Sequence, residues 1–122
     1  MPEKPAPRTL TLEIEPKDNM TIVRCHGQLV SGTTDILYSK VRPMIPDTKR
    51  IVLDLSEVTW MDSMGLGALV GLYTSAKAAG CDLQLLKIGK RIRELLGLTH
   101  LLDVFSIIGE HGQRRDSIFL PH

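Results

Sequence analysis

The sequence predicts a single α/β domain built on a mixed sheet of four to five strands, with three or more helices packed mainly on one face. Two observations carry this reading. Short apolar or alternating runs characteristic of strands recur between segments with helical spacing, in the order β-β-α-β-α-β-α-(β). The opening pair of strands is joined by only a few turn residues, which makes an antiparallel hairpin, whereas the later strands are separated by whole helices and therefore pair in parallel through right-handed crossovers. A chain of 122 residues suits one such domain.

The elements can be justified in order. Residues 1–8 carry Pro2, Pro5 and Pro7, which reads as an extended leader with no apolar segment of the secretory kind. The domain is expected over 9–109. From Thr9 to Glu15, Leu10, Leu12 and Ile14 alternate with polar residues, the period of a half-buried strand. Pro16-Lys17-Asp18-Asn19 is turn chemistry, and Thr21 to Gly27 returns as the second strand. Ser31 to Asp35 offers several N-cap residues ahead of Leu37, Val41, Met44 and Ile45, one apolar helical stripe that Pro43 and Pro46 limit. Ile51 to Leu55 is a central strand, followed by a short loop. A second helix is expected from about Met64 to Ala79 with Gly80 as its C-terminal stop. Leu83 to Leu86 reads as a strand. Ile92, Leu95 and Leu96 mark a third helix ending at Gly97, and Val104 to Ile108 a last strand. Residues 110–122 are polar and turn-rich, a loosely held tail.

Composition narrows the function. Fifteen Lys and Arg against fourteen Asp and Glu lack the basic excess of a general nucleic-acid binder. No apolar run reaches the length of about 18 residues needed to cross a bilayer, so membrane insertion is not expected. Cys25 and Cys81 form no CxxC pair and read as buried thiols in a reducing, cytoplasmic setting. His26, His100, His111 and His122 are scattered, no phosphate-cradling GxxxxGK[ST] loop occurs, and no cofactor or metal motif is present; a catalytic role is not expected.

The informative stretch lies where the central strand gives way to the second helix, at Asp62-Ser63-Met64-Gly65-Leu66-Gly67. Asp and Ser at such a junction are ordinary helix caps, because their oxygens accept bonds from the orphan amides of the first turn. Asp62 can cap while Ser63, at the first helical position, points outward. Gly65, Gly67 and Gly71 each cost about 1 kcal/mol relative to Ala in a helix interior. Gly67, Gly71, Ser75 and Ala78 recur at i, i+4, i+8 and i+11, a small-residue face that implies close approach by something, either the sheet beneath or a partner above.

Asp62-Ser63-Met64-Gly65-Leu66-Gly67 behind Val52-Leu53-Asp54-Leu55 resembles the signature of STAS domains, the anti-sigma factor antagonists. The resemblance spans about Leu10 to Ile108 and includes Gly27-Gln28-Leu29 and Ile92-Arg93-Glu94-Leu95-Leu96-Gly97-Leu98. It implies a mechanism. Ser63 maps to the phosphoacceptor. The partner is a serine-kinase anti-sigma factor, an ATPase related to histidine kinases, which the unphosphorylated antagonist binds, freeing a sigma factor for transcription. Phosphorylation at Ser63 prevents that binding, and a phosphatase acting on phospho-Ser63 restores it. The expected contact surface comprises Val30, Ser31, Gly32, Asp62, Ser63, Met64, Gly65 and Leu66. A phosphate at this helix start would be expected to meet unpaired amides. The chain departs from many relatives at Val30, where an acidic residue is common, at Met64, where a small one is common, and at His100, where glycine is common. STAS-like domains also serve as accessory subunits of transporters or sensory assemblies, and in that alternative Ser63 is only a cap.

Lys87, Lys90, Arg91 and Arg93 place four cations in a short stretch. The plain reading is a solvated helix start; the functional reading is a surface for an acidic partner or an anionic ligand. Arg114-Arg115-Asp116-Ser117 has the look of a basophilic kinase site, a pattern common by chance in polar tails.

Overall fold

The computed structural model describes residues 9–99 and the backbone of 106–108. The leader, the tail with Ser117, and His100, Val104 and Phe105 lie outside the described residues. The elements are β1 (Leu10–Lys17), β2 (Met20–Leu29), α1 (Thr34–Val41), a 3-10 turn (Arg42–Asp47), β3 (Arg50–Met61), α2 (Ser63–Ala79), β4 (Asp82–Leu86), α3 (Lys90–Leu98) and β5 (Ser106–Ile108). They form one five-stranded sheet in the order β1-β2-β3-β4-β5, antiparallel between β1 and β2 and parallel thereafter. The mixed α/β sheet read from the sequence is the sheet observed.

The strand order steps in one direction, so successive right-handed crossovers lay all three helices on one face. That face is apolar. Val23, Leu53 and Leu85 occupy matched register positions and are fully buried, as are Leu37 and Val41 of α1, Leu69 and Leu72 of α2 and Leu96 of α3. Each such side chain contributes about 1.5–3 kcal/mol by leaving water. The other face carries a charged row, Glu15–Arg24–Asp54, with Arg24 Nη1 2.7 Å from Glu15 and its Nε 3.8 Å from Asp54. These half-buried pairs still touch water and add little stability; the Arg24 guanidinium holds the Glu15 carboxyl below its ordinary range.

Four boundaries differ from the sequence reading, each for a local reason. The hairpin turn is shorter than Pro16–Asn19. Only Asp18 and Asn19 turn, with Asp18 at φ 46°, and Pro16 stays in β1, where the missing N–H costs nothing because β1 is an edge strand. The expected stripe over Leu37, Val41, Met44 and Ile45 does face inward, but it crosses from α1 into the 3-10 turn where Pro43 and Pro46 forbid continuous α-helix. The third helix runs through Gly97 to Leu98 and closes at Thr99, whose N–H and hydroxyl donate to the Leu95 carbonyl at 3.2 and 2.8 Å.

The largest difference is β3. The expected loop after Leu55 is strand, because β2 also continues to Leu29 and supplies backbone partners as far as Met61. Two register shifts against β2 let β3 carry the extra residues. At the first, the Asp54 carboxylate accepts from the N–H and hydroxyl of Ser56, at 3.0 and 2.7 Å, which gives the stretch its loop-like sequence.

Cys25 is buried in this core, and desolvation there pushes its thiol up to about 12. A neutral thiol that resists ionisation contributes stability below the ordinary thiol pKa, and the contribution is lost as pH rises from there toward 12. Between pH 9 and 11 the wild type is expected to lose about 1.4 kcal/mol per pH unit more than Cys25→Ala does. Urea unfolding of both proteins across that range checks this; parallel curves would contradict it.

Candidate functional site

The site is assembled where β2 and β3 end together. Leu29 and Met61 are register partners, so the loop 30–33 and the start of α2 leave the sheet side by side. The Asp62 N–H donates to the Leu29 carbonyl at 3.3 Å. Asp62 itself is extended (φ −111°, ψ −173°), the usual backbone of an N-cap.

Its carboxylate joins the two segments. Oδ1 accepts from the N–H groups of Met64 and Gly65, at 2.9 and 3.0 Å, and Oδ2 accepts from the N–H of Ser31, at 3.1 Å. One charged group therefore caps α2 and fixes the loop across from it. The cap foreseen at Asp62 is present, whereas the bond to Ser31 has no sequence signal, since it spans 31 residues. The loop is braced from its other side by Thr33, 2% exposed, whose hydroxyl accepts from the Val30 N–H at 3.0 Å and donates to the Gln28 carbonyl at 2.8 Å. Thr33 stands at the α1 N-cap position but makes no side-chain cap bond; it serves the loop instead. It was one of several candidate caps in the sequence, with nothing to single it out.

The glycines divide by purpose. A Cβ on Gly65 would overlap the Leu29 carbonyl oxygen and sit 2.9 Å from Met61 Cγ, so the end of the sheet requires glycine there. A Cβ on Gly71 would meet the Tyr38 ring at 3.2 Å, a contact between α1 and α2. Gly67 is exposed, with nothing within 4 Å of the position a Cβ would take. The fold explains Gly65 and Gly71 and leaves Gly67 unexplained.

Of the eight expected contact residues, the structure gathers all at this corner but turns three inward. Val30 is 4% exposed, Gly65 is buried and Leu66 is 8% exposed. Ser31, Gly32, Ser63 and Met64 are exposed, Met64 to 56%. Ser63 is the first residue of α2, with its side chain at the surface. It borders a shallow groove between α1 and α2 formed by Thr34, Asp35, Tyr38, Ser63, Met64 and Gly67. Among the described residues, no Lys or Arg lines this groove. The Met64 and Gly65 amides, which a phosphate on Ser63 was expected to find unpaired, are already occupied by Asp62. Among the described residues no group of His, Cys, Asp and Glu is placed to hold a metal. No helix of the described residues is long and apolar enough to cross a membrane.

A loop and an Asp-capped helix start thus meet at one corner of a five-stranded mixed sheet whose helices lie on one face. The STAS domain family profile matches residues 11–113, and the chain belongs to that family. It is 31% identical over 99 residues to the anti-sigma-B factor antagonist of Staphylococcus aureus (strain NCTC 8325 / PS 47), covering 80% of this chain and 92% of that protein. It is 26% identical over 98 residues to the anti-sigma-B factor antagonist of Bacillus subtilis (strain 168), covering 80% and 90%. The crystal structure of an anti-sigma factor antagonist from Mycobacterium paratuberculosis superposes with a TM-score of 0.76 at 25% identity, covering 84% of this chain and 88% of that one.

Two substitutions test this geometry. Asp62→Ala is expected to cost about 2–3 kcal/mol in urea unfolding, since it removes a helix cap and leaves the Ser31 amide without its charged acceptor. Gly65→Ala is expected to cost at least as much, because backbone rather than a movable side chain blocks the new methyl. A cost below 0.5 kcal/mol for either would show that the corner is looser than described.

Proposed function

We propose that this protein is an anti-sigma factor antagonist that binds a serine-kinase anti-sigma factor and is switched off by phosphorylation of Ser63. The observation that carries the reading is the placement of Ser63, a hydroxyl at the surface on the first turn of α2, directly after a capping Asp62. Membership of the STAS family and the anti-sigma factor antagonists among its relatives support the same role.

The chemistry of the switch follows from the groove. A phosphoserine carries about −1.5 to −2 charges at neutral pH. At Ser63 it would stand next to Asp62 and across the groove from Asp35, with no cation among the described residues lining that groove. Inside the chain the charge stays in water, and the positive end of the α2 dipole favours it, so the fold tolerates it. In a complex the same charge would be desolvated against the partner without a counterion, which costs several kcal/mol. That is enough to reduce micromolar affinity to insignificance. The unmodified surface suits a partner: Ser31 and Gly32 offer backbone, Met64 an adaptable apolar side chain, and Gly67 an open approach. Val30, Gly65 and Leu66 hold that surface in place from beneath. Dephosphorylation by a phosphatase returns the neutral hydroxyl.

The test is phosphorylation of the purified protein with ATP by candidate serine-kinase anti-sigma factors, with the modified residue located by mass spectrometry. Phosphate is expected on Ser63 and absent from Ser63→Ala, and the phosphorylated form is expected to bind the kinase at least 100-fold more weakly. Modification elsewhere, or equal binding of both forms, would overturn the reading. Gly67→Ala gives an independent check. It should raise stability by up to about 1 kcal/mol, the helix-propensity gain, while weakening kinase binding roughly ten-fold by blocking the open approach. Unchanged binding would remove Gly67 from the interface.

A further inference from the structure

We infer that Trp60 and the start of α3 form a second docking surface, one that takes an acidic segment of a protein partner. Trp60, the only tryptophan in the chain, is 47% exposed near the end of β3. The Arg91 guanidinium carbon lies 4.2 Å from its ring centroid. Stacking on the ring restricts the guanidinium, and among the described residues its Nε is shut off from solvent without a hydrogen-bond acceptor. Lys87, Lys90 and Arg93 are exposed around it. No carboxylate among the described residues lies within ion-pair distance of Lys87, Lys90 or Arg91. Between Lys87 and Leu98 the sequence holds four Lys and Arg residues and one acid, Glu94.

This arrangement is unfavourable for the chain by itself. The cations repel one another and stand at the positive end of α3, where Asp or Glu would be the stabilising choice, and Gly89 supplies no side-chain cap. An acidic segment laid across the patch relieves both effects. The aromatic ring beneath provides apolar contact area, the usual companion of Arg in protein interfaces. A nucleic acid fits less well. Arg91 already covers a face of Trp60 on which a base would stack, and the chain as a whole carries a net charge of only +1. The Cα atoms of Trp60 and Ser63 are at most about 11 Å apart along the chain, so one partner can span both surfaces.

The test uses the unphosphorylated chain and does not involve the kinase. The probe is a fluorescently labelled ten-residue polyglutamate peptide titrated into the full chain at low salt, read by anisotropy and by Trp60 emission. Saturable binding with a change in Trp60 emission is expected, weakened several-fold at 0.5 M salt. The double reversal Lys87→Glu/Lys90→Glu should weaken it at least ten-fold. Its unfolding midpoint should be unchanged or raised, since acids suit that helix end. Lys40→Glu/Lys49→Glu, an equal charge change elsewhere, and Ser63→Ala should bind within two-fold of wild type. No saturable binding, equal loss in the Lys40/Lys49 control, or tighter binding of a ten-nucleotide single strand would each overturn the inference while leaving the Ser63 switch standing.

Discussion

The Asp62 carboxylate is the constraint on which the functional corner depends. Parallel strands end together, and whatever follows them must turn in the same crowded space. Here the two exits are a loop and a helix, each with backbone amides left unpaired by the sheet. One carboxylate takes two amides of α2 and one from Ser31, so a single charge satisfies both exits and sets the distance between them. The close approach that this demands is possible only because Gly65 places no side chain against the Leu29 carbonyl. Remove either residue and Ser63 would remain in the sequence but lose its fixed position beside the loop.

This arrangement separates the proposed switch residue, Ser63, from the core. The side chains that hold the domain together, Leu53, Leu69, Leu72 and Leu85 among them, are fully buried on the helix-covered face. Ser63 and Met64 stand outside it. On the proposed reading, charge added at Ser63 would act on what approaches the surface and leave the packing beneath undisturbed. The Trp60–Arg91 pair lies on the next stretch of surface, where the cations stand at some expense to the helix that carries them.

Much of this was legible in the sequence, for physical reasons that differ by element. The helices and parallel strands announce themselves through apolar spacing, and Gly80 marks the end of α2 by adopting the left-handed conformation its residue type permits (φ 76°). Asp62 as a cap follows from local chemistry alone. What the sequence does not show depends on partners distant in the chain. The extension of β3 to Met61 is decided by β2, not by the polar residues Ser56 and Glu57 that suggest a loop. The role of Thr33 depends on the carbonyl of Gln28 and the amide of Val30, and that of Trp60 on Arg91. The glycines illustrate the limit well: Gly65, Gly67 and Gly71 look alike in sequence, yet one meets backbone, one meets a tyrosine and one meets solvent.

The central claim is that phosphate on Ser63 changes the surface and not the fold. Amide spectra and hydrogen exchange of the unmodified and Ser63-phosphorylated protein test it directly. The account predicts shifts confined to residues 30–35 and 62–67, with exchange protection retained in β3, β4 and the later turns of α2. Loss of protection in the core strands, or shifts spread across the sheet, would contradict it and make the switch a change of structure.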